Sequence, residues 1–167
     1  DLELPRLDGS FDVIVYGDVL EHLRAPLKVF SALTRHLGED GVVCVSVGNV
    51  AHLWVRLQLL LGRFEYTERG LLDRTHLRFF TLKSFRRFMR DAGMSVIELI
   101  PTPVPLPLVV PERFHGRWLD AVHRGNAWVA RLWKAMFAYQ FVLVAEKVAY
   151  RGVAAAAGEP VTASARQ

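Results

Sequence analysis

The sequence predicts an α/β fold on a doubly wound sheet, and three observations carry that expectation. Short apolar runs at 11–17, 42–47, 95–100 and 139–148 alternate with segments of helical period, the order that yields a sheet flanked by helices. The first run, "FDVIVYG", is apolar and β-branched on successive positions, which suits a strand buried on both faces. Where it ends stands the polar stretch "GDVLEHL" at 17–23, at the carboxyl end of a strand, where open α/β sheets bind their ligands.

Composition bounds the classes. A chain of 167 residues that is 51% hydrophobic can bury one core and form one domain. The formal charge of +4 is compatible with an anionic substrate or a membrane surface and is too small to imply nucleic acid. The lone cysteine, Cys44 in "GVVCVSV", excludes a disulfide framework and a cysteine-based zinc site, and fits a reducing, cytoplasmic compartment. No basic-then-apolar leader is read ahead of the first strand, and no apolar run reaches bilayer length. The chain opens on Asp1 rather than Met, in an acidic loop with a proline, and is expected to be N-terminally truncated, a fragment of a longer domain.

Taken in order, residues 1–10 read as a loop with a turn at Asp8-Gly9, followed by a strand over 11–17. From Pro26 a helical period places Leu27, Phe30, Leu33, Thr34 and Leu37 on one face, with proline tolerated in the first turn. "GEDG" at 38–41 then reads as a turn before the strand at 42–47. Residues 50–61, "VAHLWVRLQLLL", are apolar nearly all round and predict a helix that covers a site or packs deep. A polar irregular segment follows to residue 80. Thr81 is placed to cap a helix over 82–92 with Leu82, Phe85, Phe88 and Met89 facing in, Lys83, Arg86, Arg87 and Arg90 facing out, and Gly93 closing it.

After the strand at 95–100, five prolines over 101–111 exclude a central strand or a helix and predict an extended linker. It leads into an inserted, lid-like or interaction segment over 104–138. There the period sets Trp118, Val122, Val129, Leu132, Trp133, Met136 and Phe137 on one side, with Arg124, Arg131 and Lys134 on the other. The strand at 139–148 closes a domain spanning 1–150. The tail 151–167 is small, polar and aperiodic, the composition of a disordered segment.

Four stretches in this order, "FDVIVYGDVLEHLRAP", "LGEDGVVCVSVGN", "DAGMSVIELI" and "YQFVLVAEKV", resemble the second half of a class I S-adenosylmethionine-dependent methyltransferase. "LLLGRFEYTERGLLDRTHLRFFT" further resembles a bacterial branch of small-molecule O-methyltransferases often encoded with polysaccharide or glycosyl-transfer genes. The resemblance implies a Rossmann-like methyltransferase sheet whose fourth to seventh strands lie here, the last one antiparallel, with S-adenosyl-L-methionine as cofactor. It implies that Asp1 contacts the adenine ring. It places Gly17, Asp18 and His22 beneath the methionine end of the cofactor, where a carboxylate faces the ammonium and sulfonium charges. The family's glycine-rich loop and ribose-binding acid are expected upstream, because no G-x-G-x-x-G or equivalent occurs in these residues. The simpler reading of Asp18 and Glu21 is that they stabilise the amino end of the following helix.

Methyl transfer to a hydroxyl needs alignment and a proton acceptor. His76 in "DRTHLRFF" is the candidate base, with Asp73 three residues earlier to orient it, and Arg74 and Arg78 to grip an acidic substrate. The competing reading pairs Asp73 with Arg74 or Arg78 and gives His76 a loop-bracing role. Asn49 and Tyr66 are substrate-binding candidates, with turn shaping and core packing as their structural alternatives. His52, alone on an apolar helix, reads as a satisfied structural group. No metal site is read, since no third ligand stands near Asp73 and His76 at a useful spacing.

The amphipathic segment 113–137 has the composition of a lid, a homo-oligomer contact or a peripheral membrane surface. The function expected is methylation of a small or saccharide-like hydroxyl acceptor. The competing class is a noncatalytic, methyltransferase-like interaction module.

Overall fold

The computed structural model describes residues 7–148. Asp1 and the tail 151–167 lie outside the described residues. Among the described residues four strands form one sheet: β1 (Phe11–Gly17), β2 (Leu37–Gly48), β3 (Met94–Thr102) and β4 (Gln140–Lys147), in the spatial order β1-β2-β4-β3. β1 pairs parallel with β2, and β4 runs antiparallel between β2 and β3. The antiparallel last strand is as expected.

The α-helices among the described residues are α1 (Pro26–Thr34), α2 (Leu53–Leu60), α3 (Leu82–Asp91), α4 (Leu106–Val109), α5 (Arg117–Leu132) and α6 (Lys134–Phe137). The main core lies on one face of the sheet. Tyr16, Val43, Val45, Val47, Phe141, Leu143 and Ala145 supply the sheet side, and Phe30 of α1 with Phe85 and Met89 of α3 cover them. Phe30 stacks between Tyr16 and Phe88, at ring separations of 4.8 and 5.4 Å. The Tyr16 hydroxyl donates to the Phe30 carbonyl at 3.3 Å, and burial pushes its pKa up to about 12.

α3 begins as expected at Thr81, whose Oγ1 accepts the Ser84 N–H while the Ser84 Oγ accepts the Thr81 N–H. This reciprocal cap satisfies two N–H groups that a helix start leaves open. Gly93 follows at φ +71°, a left-handed conformation that glycine adopts without strain.

Four expectations are corrected. β1 is not buried on both faces: it is a sheet edge, and Val13 and Val15 are 54% and 67% exposed, because no layer among the described residues covers that face. "GEDG" is not a turn. It is part of β2, accommodated by a register shift between Phe11 and Val13, and a Cβ at Gly41 would stand 2.8 Å from Leu37 and 3.0 Å from the Phe11 carbonyl. α2 does not pack deep: only Val55 is buried, and Trp54, Leu57 and Leu60 stand in solvent at the rim.

The proline run contains a helical turn, α4, with Pro107 in its first turn, where a missing N–H costs nothing. Pro101 is admitted to β3 because β3 is the other sheet edge. The structure also settles which side of α5 turns inward, a point the helical period left open. Leu119 and Ala130 are buried, while Trp118, Val122, Leu132 and Trp133 are exposed.

Phe85 is fully buried and its ring meets Phe80 at 5.7 Å. Phe85→Ala is therefore expected to lower unfolding free energy by about 3–5 kcal/mol, read from the urea midpoint.

Candidate active site

β1 ends at Gly17, and Asp18 reverses the chain at φ +50°, the left-handed region that aspartate tolerates better than most residues. Asp18 is held from two neighbouring strands. Its N–H donates to Ser46 Oγ at 3.0 Å, Ser46 Oγ donates back to Asp18 Oδ1 at 2.9 Å, and the Gln140 amide also donates to Oδ1. The turn of 3₁₀ helix at Leu20–His22 then drops Glu21 into the interior, 3% exposed.

Glu21 Oε1 accepts the Gly48 N–H at 3.1 Å, while Oε2 is buried with no partner. Burial pushes the Glu21 carboxyl above its ordinary range, against the pull of the backbone donors. Its carbonyl oxygen accepts the N–H groups of Leu77 and Arg78 at 2.7 and 3.0 Å. Glu21 thus joins the ends of β1 and β2 to the polar loop.

That loop carries Asp73 and His76. Asp73 Oδ1 accepts the backbone N–H and hydroxyl of Thr75 at 2.8 and 2.6 Å, bonds that hold its carboxyl below the usual range. The Asp73 carboxylate therefore shapes the loop and is not bonded to the His76 ring. Because Thr75 Oγ1 donates its proton to Asp73, it can only accept from His22. The Thr75 carbonyl is likewise an acceptor, so His22 Nδ1 carries the proton at 3.2–3.3 Å from both. The His22 and His76 rings meet edge-on at 4.8 Å.

Asp18, Glu21, Asp73 and His76 share the wall of one cavity of about 390 Å³ with Gly48, Thr102, Tyr139, Gln140 and the apolar residues Pro103, Pro105 and Leu108. Three carboxyl groups against one imidazole make it an acidic pocket, suited to a cationic ligand. A second cavity of about 390 Å³ adjoins it and is mainly apolar, walled by Trp54, Val55, Leu72, Val104 and Val109. Gly70, Leu71 and Tyr139 border both.

His52 also lines the apolar cavity. Its Nδ1 accepts the Trp54 N–H at 3.2 Å, which leaves the proton on Nε2, and burial lowers its pKa. Burial raises the Tyr139 phenol, with the Leu71 backbone pulling the other way.

The remaining candidates stand apart. Asn49 is fully buried. Its Nδ2 donates to the carbonyls of Ala135 and Ala138 at 3.3 and 2.8 Å, and its Oδ1 accepts the Ala51 N–H. With its side chain so engaged it anchors the insertion and is not available to a substrate. Arg74 pairs with Glu68 at the surface, and the Arg78 guanidinium donates to the Arg24 carbonyl at 2.7 Å. Neither lines the two cavities. Tyr66 is 54% exposed and packs on Phe64 and Phe79 outside them.

Sequence reasoning passed over Glu21, Ser46, Tyr139 and Gln140 as site residues. Glu21 had a local signal, three residues past Asp18 on a strand end. Gln140 had none, since 122 positions separate it from Asp18.

Comparison with known proteins bears on this geometry. A family model described as a methyltransferase domain matches residues 3–99. Ubiquinone biosynthesis O-methyltransferases of Burkholderia pseudomallei and Burkholderia mallei are 30% identical over 96 residues, which is 56% of this chain and 40% of theirs. The chain thus spans well under half the length of these curated relatives.

Among solved structures, an S-adenosylmethionine-dependent methyltransferase from Thermotoga maritima aligns with a TM-score of 0.56 at 16% identity, over 87% of this chain and 60% of that one. Another from Archaeoglobus fulgidus aligns with a TM-score of 0.50 at 11% identity, over 84% and 61%. These two likenesses share the fold, a Rossmann-like methyltransferase sheet.

Two outcomes are expected. A carboxyl whose pKa is raised by folding favours the folded state below its unfolded value, near 4.5, and loses that contribution as pH rises through the folded value. Glu21→Gln should therefore melt about 3 °C higher than the parent at pH 7, with the gap closing below pH 4.5. In Gly70→Ala the new Cβ stands 2.9 Å from the Tyr139 hydroxyl at φ +97°, so a loss of about 1–3 kcal/mol is expected in urea unfolding.

Proposed function

Since the chain belongs to the class I S-adenosylmethionine-dependent methyltransferase family, matched over residues 3–99, we propose that it carries the methionine-end and acceptor parts of an O-methyltransferase site. The observation that supports this best is the unpartnered Oε2 of Glu21, buried in an acidic cavity beyond the carboxyl end of a parallel strand. A buried carboxylate is costly without a counter-charge, and the cofactor's ammonium and sulfonium groups are such charges. The donor set fits the group. Asp18 and Glu21 would hold its cationic end, with Ser46 and Gln140 keeping Asp18 in place.

S-adenosylmethionine, when bound, supplies an activated methyl group, and the work left to this chain is alignment and proton removal. His76 lines the acidic cavity and is the proposed proton acceptor for the acceptor's hydroxyl. Asp73 is the residue that shapes its loop, through Thr75. The acceptor occupies the adjoining apolar cavity and presents its hydroxyl past Gly70, Leu71 and Tyr139. Walls of Trp54, Val55, Leu72, Val104 and Val109 favour a small acceptor with an apolar body over a bare saccharide. Oxygen as the methylated atom is supported by the name of the Burkholderia relatives. The exposed edge of β1 is the surface proposed for any homo-oligomer.

The test is calorimetric titration of S-adenosylhomocysteine into the protein as its gene encodes it. Micromolar binding is expected, weakened roughly tenfold or more by Asp18→Asn or Glu21→Gln through loss of a charge-assisted contact. His76→Phe should leave that binding intact and lower turnover of a hydroxyl acceptor about a hundredfold. A folded protein that binds none would overturn the enzyme reading in favour of a noncatalytic interaction module.

A further inference from the structure

All four tryptophans of the chain, Trp54, Trp118, Trp128 and Trp133, are exposed, by 63, 56, 62 and 57%. Tryptophan is highly buried on average in folded domains, so four exposures of this size ask for a reason. Three of them stand on or beside α5, and the 3.6-residue period divides that helix into three stripes. Leu119, His123, Asn126 and Ala130 turn inward, with the Asn126 amide donating to the Val104 carbonyl at 3.2 Å. Trp118, Val122 and Leu132 form an exposed apolar stripe.

Arg117, Arg124 and Arg131 form the third stripe, seven residues apart and all exposed. None has an ion-pair partner among the described residues. Trp128 stands between the apolar and basic stripes, and Asp120 is the one acid on the helix, so the basic stripe stays net positive.

The surface continues into α4, where Leu108 and Val109 are 87% and 65% exposed. Leu108 lines the acidic cavity, while Val109 and Trp54 line the apolar one. The aromatic and basic surface therefore borders the mouths of both cavities.

We propose that α5, together with α4, is a peripheral membrane-contacting surface. It lays its tryptophans into the interfacial layer of an anionic bilayer and sets Arg117, Arg124 and Arg131 against the acidic headgroups. Tryptophan rings prefer the headgroup level, and a helix with adjoining apolar and basic stripes lies in the plane of the interface. No helix among the described residues is long and apolar enough to cross a membrane, so the contact is one of surface docking. Charge decides between a bilayer and a second copy of the chain. A second copy brings the same net-positive stripe and no countercharge, whereas anionic headgroups complement it.

Vesicle co-sedimentation and tryptophan emission test the proposal, using phosphatidylcholine vesicles with and without phosphatidylglycerol. Binding to the mixed vesicles, a blue shift in emission and release by salt are expected. Replacing the three arginines together (Arg117→Gln, Arg124→Gln, Arg131→Gln) should weaken partitioning roughly a hundredfold, as expected for three cations at an anionic surface. Trp118→Ser with Trp128→Ser should remove most of the blue shift, circular dichroism confirming that both variants fold.

Equal partitioning into neutral vesicles would overturn the proposal. So would no partitioning into either kind, including the case of a dimer in sedimentation that the serine variants abolish. Vesicle binding needs neither cofactor nor acceptor, so its failure leaves the methyltransferase reading untouched.

Discussion

The site hangs on one buried carboxyl. Glu21 draws three separate stretches of chain together: its own turn after β1, the end of β2 through the Gly48 N–H on its carboxyl, and the polar loop through the N–H groups of Leu77 and Arg78 on its backbone carbonyl. Each of those backbone donors stands at a strand end or in an irregular segment, where no ladder or helix partner is at hand. A carboxyl held away from water resists ionisation, and the raised pKa of Glu21 records that cost. The N–H groups of Gly48 and of Glu21 itself offset part of it, and the bare Oε2 marks the part left over. Stability is set aside at the place where a cation would recover it, as functional sites commonly do.

A second clamp fixes what stands above that site. Asn49, immediately after β2, ties its side chain to Ala135 and Ala138, and its N–H donates to the Tyr139 carbonyl. Those bonds set where the insertion returns to the sheet as β4, and so where Tyr139 and Gln140 reach the cavities. Asn49 is thus essential to the site's geometry without touching its contents. The insertion turns Leu119, Asn126 and Ala130 inward and presents Trp118, Val122 and Trp128 outward.

Much of the fold was legible because its signals are local. The capping pair Thr81 and Ser84, the terminating Gly93 and the apolar runs of β2 and β4 are short-range patterns that tertiary context did not overrule. Errors arose where a local pattern has two readings. "GEDG" is turn-like in composition, yet parallel pairing with Phe11 draws it into β2. The period of α5 was legible and its orientation was not, since amphipathicity alone does not say whether a bulky apolar stripe meets protein or some other apolar phase.

By itself the sequence determined the alternation of strands and helices, the antiparallel closing strand and the polar turn at Asp18. Each follows from hydrophobic period, side-chain branching or capping chemistry within a few residues. Only the tertiary structure decided which polar groups share a cavity. It placed Gln140 on Asp18 and gave the Asp73 carboxylate to Thr75. It also withdrew Asn49, Arg74 and Arg78 from the cavities and left one oxygen of Glu21 without a partner. The physical reason is that hydrogen bonds and burial are settled between segments far apart in the chain, where a residue's neighbours in space bear no fixed relation to its neighbours in sequence.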